Sequence, residues 1–178
     1  KMKIAVVCAN GKAGKLIVKE AVDRGLDVTA IVRGENHTAA KHVLKKDLFD
    51  LMAADLEEFD VVIDAFGTWA EETLPQHSTS LKHLCDVLSG TSTRLLVVGG
   101  AGSLYVNPEH TACVADGPNF PDMFKPLAAA MAKALGEPLD KQYEASCSGP
   151  GDDGIWSYDG LTVFTYRENG VETVVDAE

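Results

Sequence analysis

Lys3-Ile4-Ala5-Val6-Val7-Cys8-Ala9-Asn10-Gly11-Lys12-Ala13-Gly14-Lys15 decides the fold. An apolar run with the pattern of a fully buried strand stops at a small-residue turn, and an amphipathic helix begins at once. Such a turn lets backbone N–H groups approach a pyrophosphate, while the dipole of the following helix favours the phosphate charge. Gly11 and Gly14 are the positions where a Cβ would obstruct that approach. Cys8 stands where the commonest dinucleotide fingerprints put their first glycine. Taken alone, the stretch also fits an ordinary tight strand-to-helix turn.

The next elements extend the pattern. Ala13, Leu16, Ile17, Glu20, Ala21 and Arg24 form a stripe at helical spacing, so a helix is expected over 13–24, with Gly25 as its stop. Residues 27–33 are β-branched and complete a βαβ unit with parallel strands. The position after this strand discriminates between cofactors: an acid there bonds a ribose 2′-hydroxyl, and a base accommodates a 2′-phosphate. The chain offers Arg33, which favours NADP(H) over NAD(H).

A short third strand at the sheet edge is expected over 43–47, and a weak helix over 51–59. Buried strands follow at 60–67 and 94–100, with a helix at 73–88 between them, stopped by Gly90. Residues 106–122, with prolines at 108, 118 and 121, cannot be regular throughout and have the character of a substrate lid. An alanine-rich helix is expected from Phe124 to Leu135, closed by Gly136 and Pro138. The last forty residues change rhythm. Short strands at 155–158, 161–166 and 171–175, separated by Asp159-Gly160 and Glu168-Asn169-Gly170, predict an antiparallel meander. The expected architecture is therefore an α/β doubly wound parallel sheet, a Rossmann fold over 1–135, with a β-rich C-terminal segment over 136–178.

Composition bounds the function. The 178 residues carry a formal charge of −11, which argues against a nucleic-acid groove or an anionic membrane surface as partner. With 46% hydrophobic and 24% charged residues the chain has the composition of a soluble globular protein. Neither a membrane span nor a signal-peptide leader is expected, and a mature secreted form, already trimmed, is left open. Four cysteines, Cys8, Cys85, Cys113 and Cys147, form no Cys-x-x-Cys pair, so reduced and mostly buried thiols in a cytoplasmic setting are expected. His77 and His83, six apart, suit no helical metal pair and are expected at the surface; no metal site is expected. Oligomeric state is left open.

Residues 1–135 resemble the atypical, NmrA-like branch of the short-chain dehydrogenase/reductase superfamily, including small bacterial proteins described as NAD(P)H-binding oxidoreductases or NADH-flavin reductases. The resemblance rests on the stretches Val7–Gly14, Val32-Arg33, Lys46–Asp50, Val61–Gly67 and Val97–Leu104, in that order. It implies that Asn10, Gly11, Lys12, Ala13 and Gly14 surround the pyrophosphate, with Arg33 beside the adenosine ribose. It further implies Asp47 and Leu48 at the adenine, and Ala65, Phe66 and Gly67 at the nicotinamide-side ribose. Ser103 takes the place of the serine that active members carry after the fifth strand.

Active members also use a Tyr-x-x-x-Lys pair, whose tyrosine exchanges a proton with the substrate oxygen while hydride moves. No such pair occurs in this sequence. Lys133 sits in the lysine position with Ala129 four residues before it, and Tyr105 is followed at that spacing by Glu109. Carbonyl chemistry is thereby disfavoured. Hydride transfer to a flavin, quinone or other small acceptor under the 99–122 loop remains open, with Ser103, Tyr105 and Lys133 as contacts. The alternatives are a non-catalytic NAD(P)-binding redox sensor and a composite chain without activity. The resemblance ends at residue 135. Beyond it the chain looks like a fragment of small β-rich secreted Firmicutes domains, or else carries a divergent elaboration of the sheet edge.

Overall fold

The computed structural model describes residues 1–109, 111–140, 155–158 and 161–164, and the surroundings of side chains as far as Gly136. The chain forms two compact units, Lys1–Gly67 with Thr79–Val98, and Thr68–Ser78 with Gly99–Glu178.

The first unit is built on five parallel strands: β1 (Lys3–Val7), β2 (Asp27–Val32), β3 (His42–Lys45), β4 (Val61–Asp64) and β5 (Arg94–Val97). They pair in the order β3-β2-β1-β4-β5. β1 is central because its apolar run can be covered on both faces: Ala5, Val6 and Val7 are completely buried. β3 is short and mostly exposed, as an edge strand carrying His42 and Lys45 tolerates. The order reverses between β1 and β4, where Val7 lies beside Asp64. In an open parallel sheet that reversal leaves a crevice at the strands' carboxyl ends. This is the expected α/β Rossmann-like fold with a parallel sheet.

The first helix, α1 (Lys12–Asp23), buries Gly14, Val18 and Ala21. The expected stripe is thereby corrected, for Leu16 is 69% exposed, and Glu20 and Arg24 pair in solvent at 2.8 Å. Gly14 sets the helix's rotation because it must lie directly against the turn, and positions four and seven residues later follow it inward. Gly25 and Gly90 end their helices with φ of +74° and +76°, the left-handed turn that suits glycine.

The expected weak helix at 51–59 shrinks to one turn, α2 (Ala53–Leu56), after a 3-10 turn at Leu48–Asp50. The next helix, α3 (Gln76–Leu88), begins three residues later than expected because Pro75 precedes it. His77 and His83 are not surface residues. His77 is buried, with Nε2 3.1 Å from the Thr68 carbonyl, and the half-buried His83 has Nε2 3.0 Å from the Leu51 carbonyl. An imidazole has polar edges that a backbone carbonyl can satisfy, which is why helical spacing alone misplaced them.

In the second unit, the described residues of 106–122 form a 3-10 turn at Val114–Asp116, and Tyr105 and Cys113 make an antiparallel bridge. The last helix, α4 (Lys125–Asp140), passes through Gly136 and Pro138 instead of closing there. Its alanine-rich body propagates readily, and a proline in the final turn removes only one backbone donor. Two strands, β6 (Ile155–Tyr158) and β7 (Leu161–Phe164), pair antiparallel. The strand expected at 171–175 and both hairpin turns lie outside the described residues. Among the described residues Cys8, Cys85 and Cys113 form no disulfide and are half-buried, more open than expected, and Cys147 is outside the described residues. No described helix is long and apolar enough to cross a membrane.

Candidate functional site

The turn after β1 is dictated by contacts between backbone atoms. Cys8 has φ +57°, the left-handed conformation that glycine adopts freely and that costs another residue about 1–2 kcal/mol. This explains why a glycine is usual at that place in dinucleotide turns, and it shows that cysteine preserves the turn's shape. The Cys8 carbonyl accepts the Gly11 N–H at 3.0 Å. A Cβ on Gly14 would stand 2.7 Å from that carbonyl oxygen and 2.8 Å from both Cα and O of Ala9. A Cβ on Gly11 would come to 3.3 Å of the same oxygen.

α1 starts without a side-chain cap, Gly11 being the residue at its boundary. The N–H groups of Lys12, Ala13 and Gly14 therefore have no intrahelical acceptor. No acidic side chain occupies the first turn, while Lys12 and Lys15 are exposed there. Free donors, the helix dipole and two cations suit an anion, and the absence of a capping side chain leaves the donors open to it. These residues fit the pyrophosphate of a dinucleotide.

The rim beside this turn comes from the loop between β2 and β3. Asn10 joins the two: its Nδ2 donates to the Glu35 carbonyl at 2.7 Å and its Oδ1 accepts the His37 N–H at 2.8 Å. Arg33, at the end of β2, is exposed over 84% of its side chain, and among the described residues its ion-pair partner is Asp47, whose Oδ2 lies 3.9 Å away. Asp47 in turn caps the 3-10 turn after β3, accepting the Phe49 N–H at 2.9 Å. Leu48 is buried at 5% exposure, so its side chain packs in the core behind that rim. After β4, Ala65 is buried, Phe66 is half-buried and Gly67 is exposed.

One group at the crevice escaped the reading of the sequence. Asp64, the last residue of β4, is 4% exposed, and its Oδ1 accepts the Phe66 N–H at 3.0 Å. Burial pushes its carboxyl up to about 6 despite that hydrogen bond. The Cys8 thiol is pushed up to about 12, by burial first and then by the Asp64 carboxylate, so it remains protonated and unreactive. The available signal was an acid closing the otherwise apolar run Val61-Val62-Ile63-Asp64.

The second unit carries the three residues considered for acceptor contact. Ser103 lies in a 3-10 turn at Ala101–Ser103 and donates its hydroxyl to the Gly100 carbonyl at 3.0 Å. Tyr105 follows it and is 45% exposed, and Lys133 is exposed on α4. Trp69, 74% exposed, meets Phe124 edge to face with ring centroids 6.3 Å apart.

A cleft of about 590 Å³ opens at the amino-terminal end of β1, β2 and β3, away from the phosphate turn. In this cleft Lys3 pairs with Glu58 at 3.0 Å, and His42 Nε2 lies 3.7 Å from Asp27 Oδ1. It offers no such set of open donors.

A family model described as NAD(P)H-binding matches residues 8–137. The chain is 44% identical over 138 residues to the uncharacterized protein YwnB of Bacillus subtilis (strain 168), covering 75% of this chain and 64% of that protein. It thus spans somewhat less than two thirds of that curated relative's length. Among solved structures, a candidate NADH-flavin reductase from Streptococcus pneumoniae TIGR4 is 54% identical with a TM-score of 0.76, covering 80% of this chain and 68% of the other. The Lmo0794 protein of Listeria monocytogenes is 40% identical with a TM-score of 0.58, covering 80% and 74%. With its reversed sheet order, glycine-backed turn and uncapped helix, the chain belongs to the NAD(P)H-binding family.

Proposed function

We propose that the first unit binds NADP(H) in preference to NAD(H), and that the protein is an oxidoreductase passing hydride to a flavin, quinone or other small acceptor. The observation that carries the cofactor preference is Arg33, whose exposed guanidinium ends β2 with the Asp47 carboxylate 3.9 Å away. A 2′-phosphate offers that guanidinium a charge-assisted partner, and a 2′-hydroxyl does not. The bound dinucleotide would supply the hydride; the chain's own residues hold it in place. In this reading Gly11, Lys12, Ala13 and Gly14 surround the pyrophosphate, Asp47 and Leu48 border the adenine, and Ala65, Phe66 and Gly67 border the second ribose.

The acceptor class is supported by the reductase from Streptococcus pneumoniae and by the lack of a Tyr-x-x-x-Lys pair, since a flavin or quinone takes up hydride without a dedicated tyrosine acid. Trp69 gives a planar acceptor an exposed face for stacking, with Ser103, Tyr105 and Lys133 as polar contacts.

Calorimetric titration of NADPH and NADH tests the cofactor reading. Charge-assisted hydrogen bonds contribute about 1.5–3 kcal/mol, so NADPH is expected to bind about tenfold to a hundredfold more tightly, and Arg33→Ala to abolish the difference. Binding of neither nucleotide would overturn the assignment. A second reading, a non-catalytic redox sensor, is favoured by the same missing tyrosine. It predicts tight binding with no loss of NADPH absorbance when flavin mononucleotide or a quinone is added, whereas a reductase oxidises the cofactor.

A further inference from the structure

We propose that Asn10 is a positioning residue for 2′-phosphate recognition, acting through the loop between β2 and β3 and not by holding the pyrophosphate. The proposal rests on the reading that this crevice prefers NADP(H).

The amide of Asn10 spans two segments 25 and 27 residues apart in sequence, donating to the Glu35 carbonyl at 2.7 Å and accepting the His37 N–H at 2.8 Å. Both partners are backbone groups, so the clasp constrains the course of the loop whatever side chains it carries. The far half of the loop is held independently. Asn36 Oδ1 accepts from the Thr38 N–H at 3.0 Å and the Thr38 hydroxyl at 2.8 Å, while Asn36 Nδ2 donates to the Ala40 carbonyl at 3.1 Å.

The near half has no such internal bonding. Arg33 is followed by Gly34, where an added Cβ would meet nothing within 4 Å, so no packing holds that side of the segment just after the arginine. On the other side of that glycine, the first anchor is the Glu35 carbonyl on Asn10. Asn10 therefore limits how far the Arg33–Glu35 segment can wander, and a ligand that engages Arg33 finds the segment already ordered. The pyrophosphate half depends on different groups, the open N–H donors of α1 and the backbone of Gly11, which a change at Asn10 leaves in place.

The test is a double-mutant cycle between Asn10→Ala and Arg33→Ala, read by calorimetry with NADPH and NADH. Asn10→Ala is expected to weaken NADPH binding about tenfold and NADH binding less than about twofold, and to have less than about a twofold effect on either once Arg33 is gone. Asn10→Asp is the near-isosteric control. It keeps the acceptor for the His37 N–H but sets a carboxylate against the Glu35 carbonyl, and it is expected to show the same selective loss should the alanine variant not fold. Equal losses for both cofactors would mean direct pyrophosphate contact and overturn the proposal, as would an undiminished NADPH loss in the Arg33→Ala background. Wild-type protein without an NADPH preference would refute the cofactor reading itself; a wild-type preference that Asn10 variants leave untouched would refute only the clasp.

Discussion

Two glycine-rich turns in this chain look alike in sequence and are built differently. Cys8–Gly14 follows β1 and Gly99–Ser103 follows β5, each connecting a buried strand to what comes next through small residues. In the first, the atoms that exclude a side chain are backbone: the Cys8 carbonyl and the Ala9 Cα and O crowd Gly14. In the second they are side chains: a Cβ on Gly100 would meet Met131 Sδ at 2.8 Å, and one on Gly102 would meet Ala128 Cβ at 2.9 Å. Turn backbone held by the Gly11-to-Cys8 and Ala9-to-Ile31 hydrogen bonds cannot readily move aside, and a methionine can change rotamer. A glycine backed by main chain is therefore a requirement of the fold, and one backed by a flexible side chain is a local packing choice.

That difference is open to direct attack. Gly14→Ala should be the most damaging change, costing about 3 kcal/mol in chemical denaturation and abolishing dinucleotide binding, because the helix must retreat from the turn. A cost below about 1 kcal/mol would show that the turn yields as easily as the second one.

Asp64 sharpens the contrast from beneath the first turn. Its pKa in the folded protein is raised from 3.8 to about 6, so folded protein binds more protons than unfolded chain between those values. The contribution of Asp64 to stability should thus fall as pH rises from about 4 to about 6 and then level off. Asp64→Asn keeps an acceptor for the Phe66 N–H and removes the buried charge. It should stabilise by about 2 kcal/mol at pH 8 and leave stability unchanged at pH 4. A variant with the same advantage at both pH values would contradict a titrating carboxyl.

In the second turn, Gly102→Ala should cost about 1–2 kcal/mol, since Ala128 Cβ has no rotamer to adopt and α4 must shift slightly. Gly100→Ala should cost less than about 1 kcal/mol, as Met131 swings away. Thermal unfolding of the two variants side by side checks the order, and the reverse order would break the argument.

Much of the first unit was legible in the sequence for a simple reason: strands buried on both faces are written as continuous apolar runs, as in Ile4–Val7 and Val61–Ile63, and glycine marks where helices stop. Gly11, Gly14 and Arg33 could be singled out because their chemistry is local to the chain around them. The inward face of α1 was not legible, because it is Gly14, an apparently neutral residue, that is pressed against the turn. Nor were His77 and His83, whose carbonyl partners sit nine and thirty-two residues away.

The sequence by itself therefore determined the alternation of strand and helix, the shape of the turn after β1 and the cation at the end of β2, all of which follow from short-range pattern and from which residues tolerate which backbone. Only the tertiary structure decided that Cys8 could serve in a glycine's conformation, that Asp64 lies buried beside it, and that Asn10 is committed to the neighbouring loop. These depend on groups far apart in the chain meeting at one crevice, where burial and hydrogen-bond partners set what each can do.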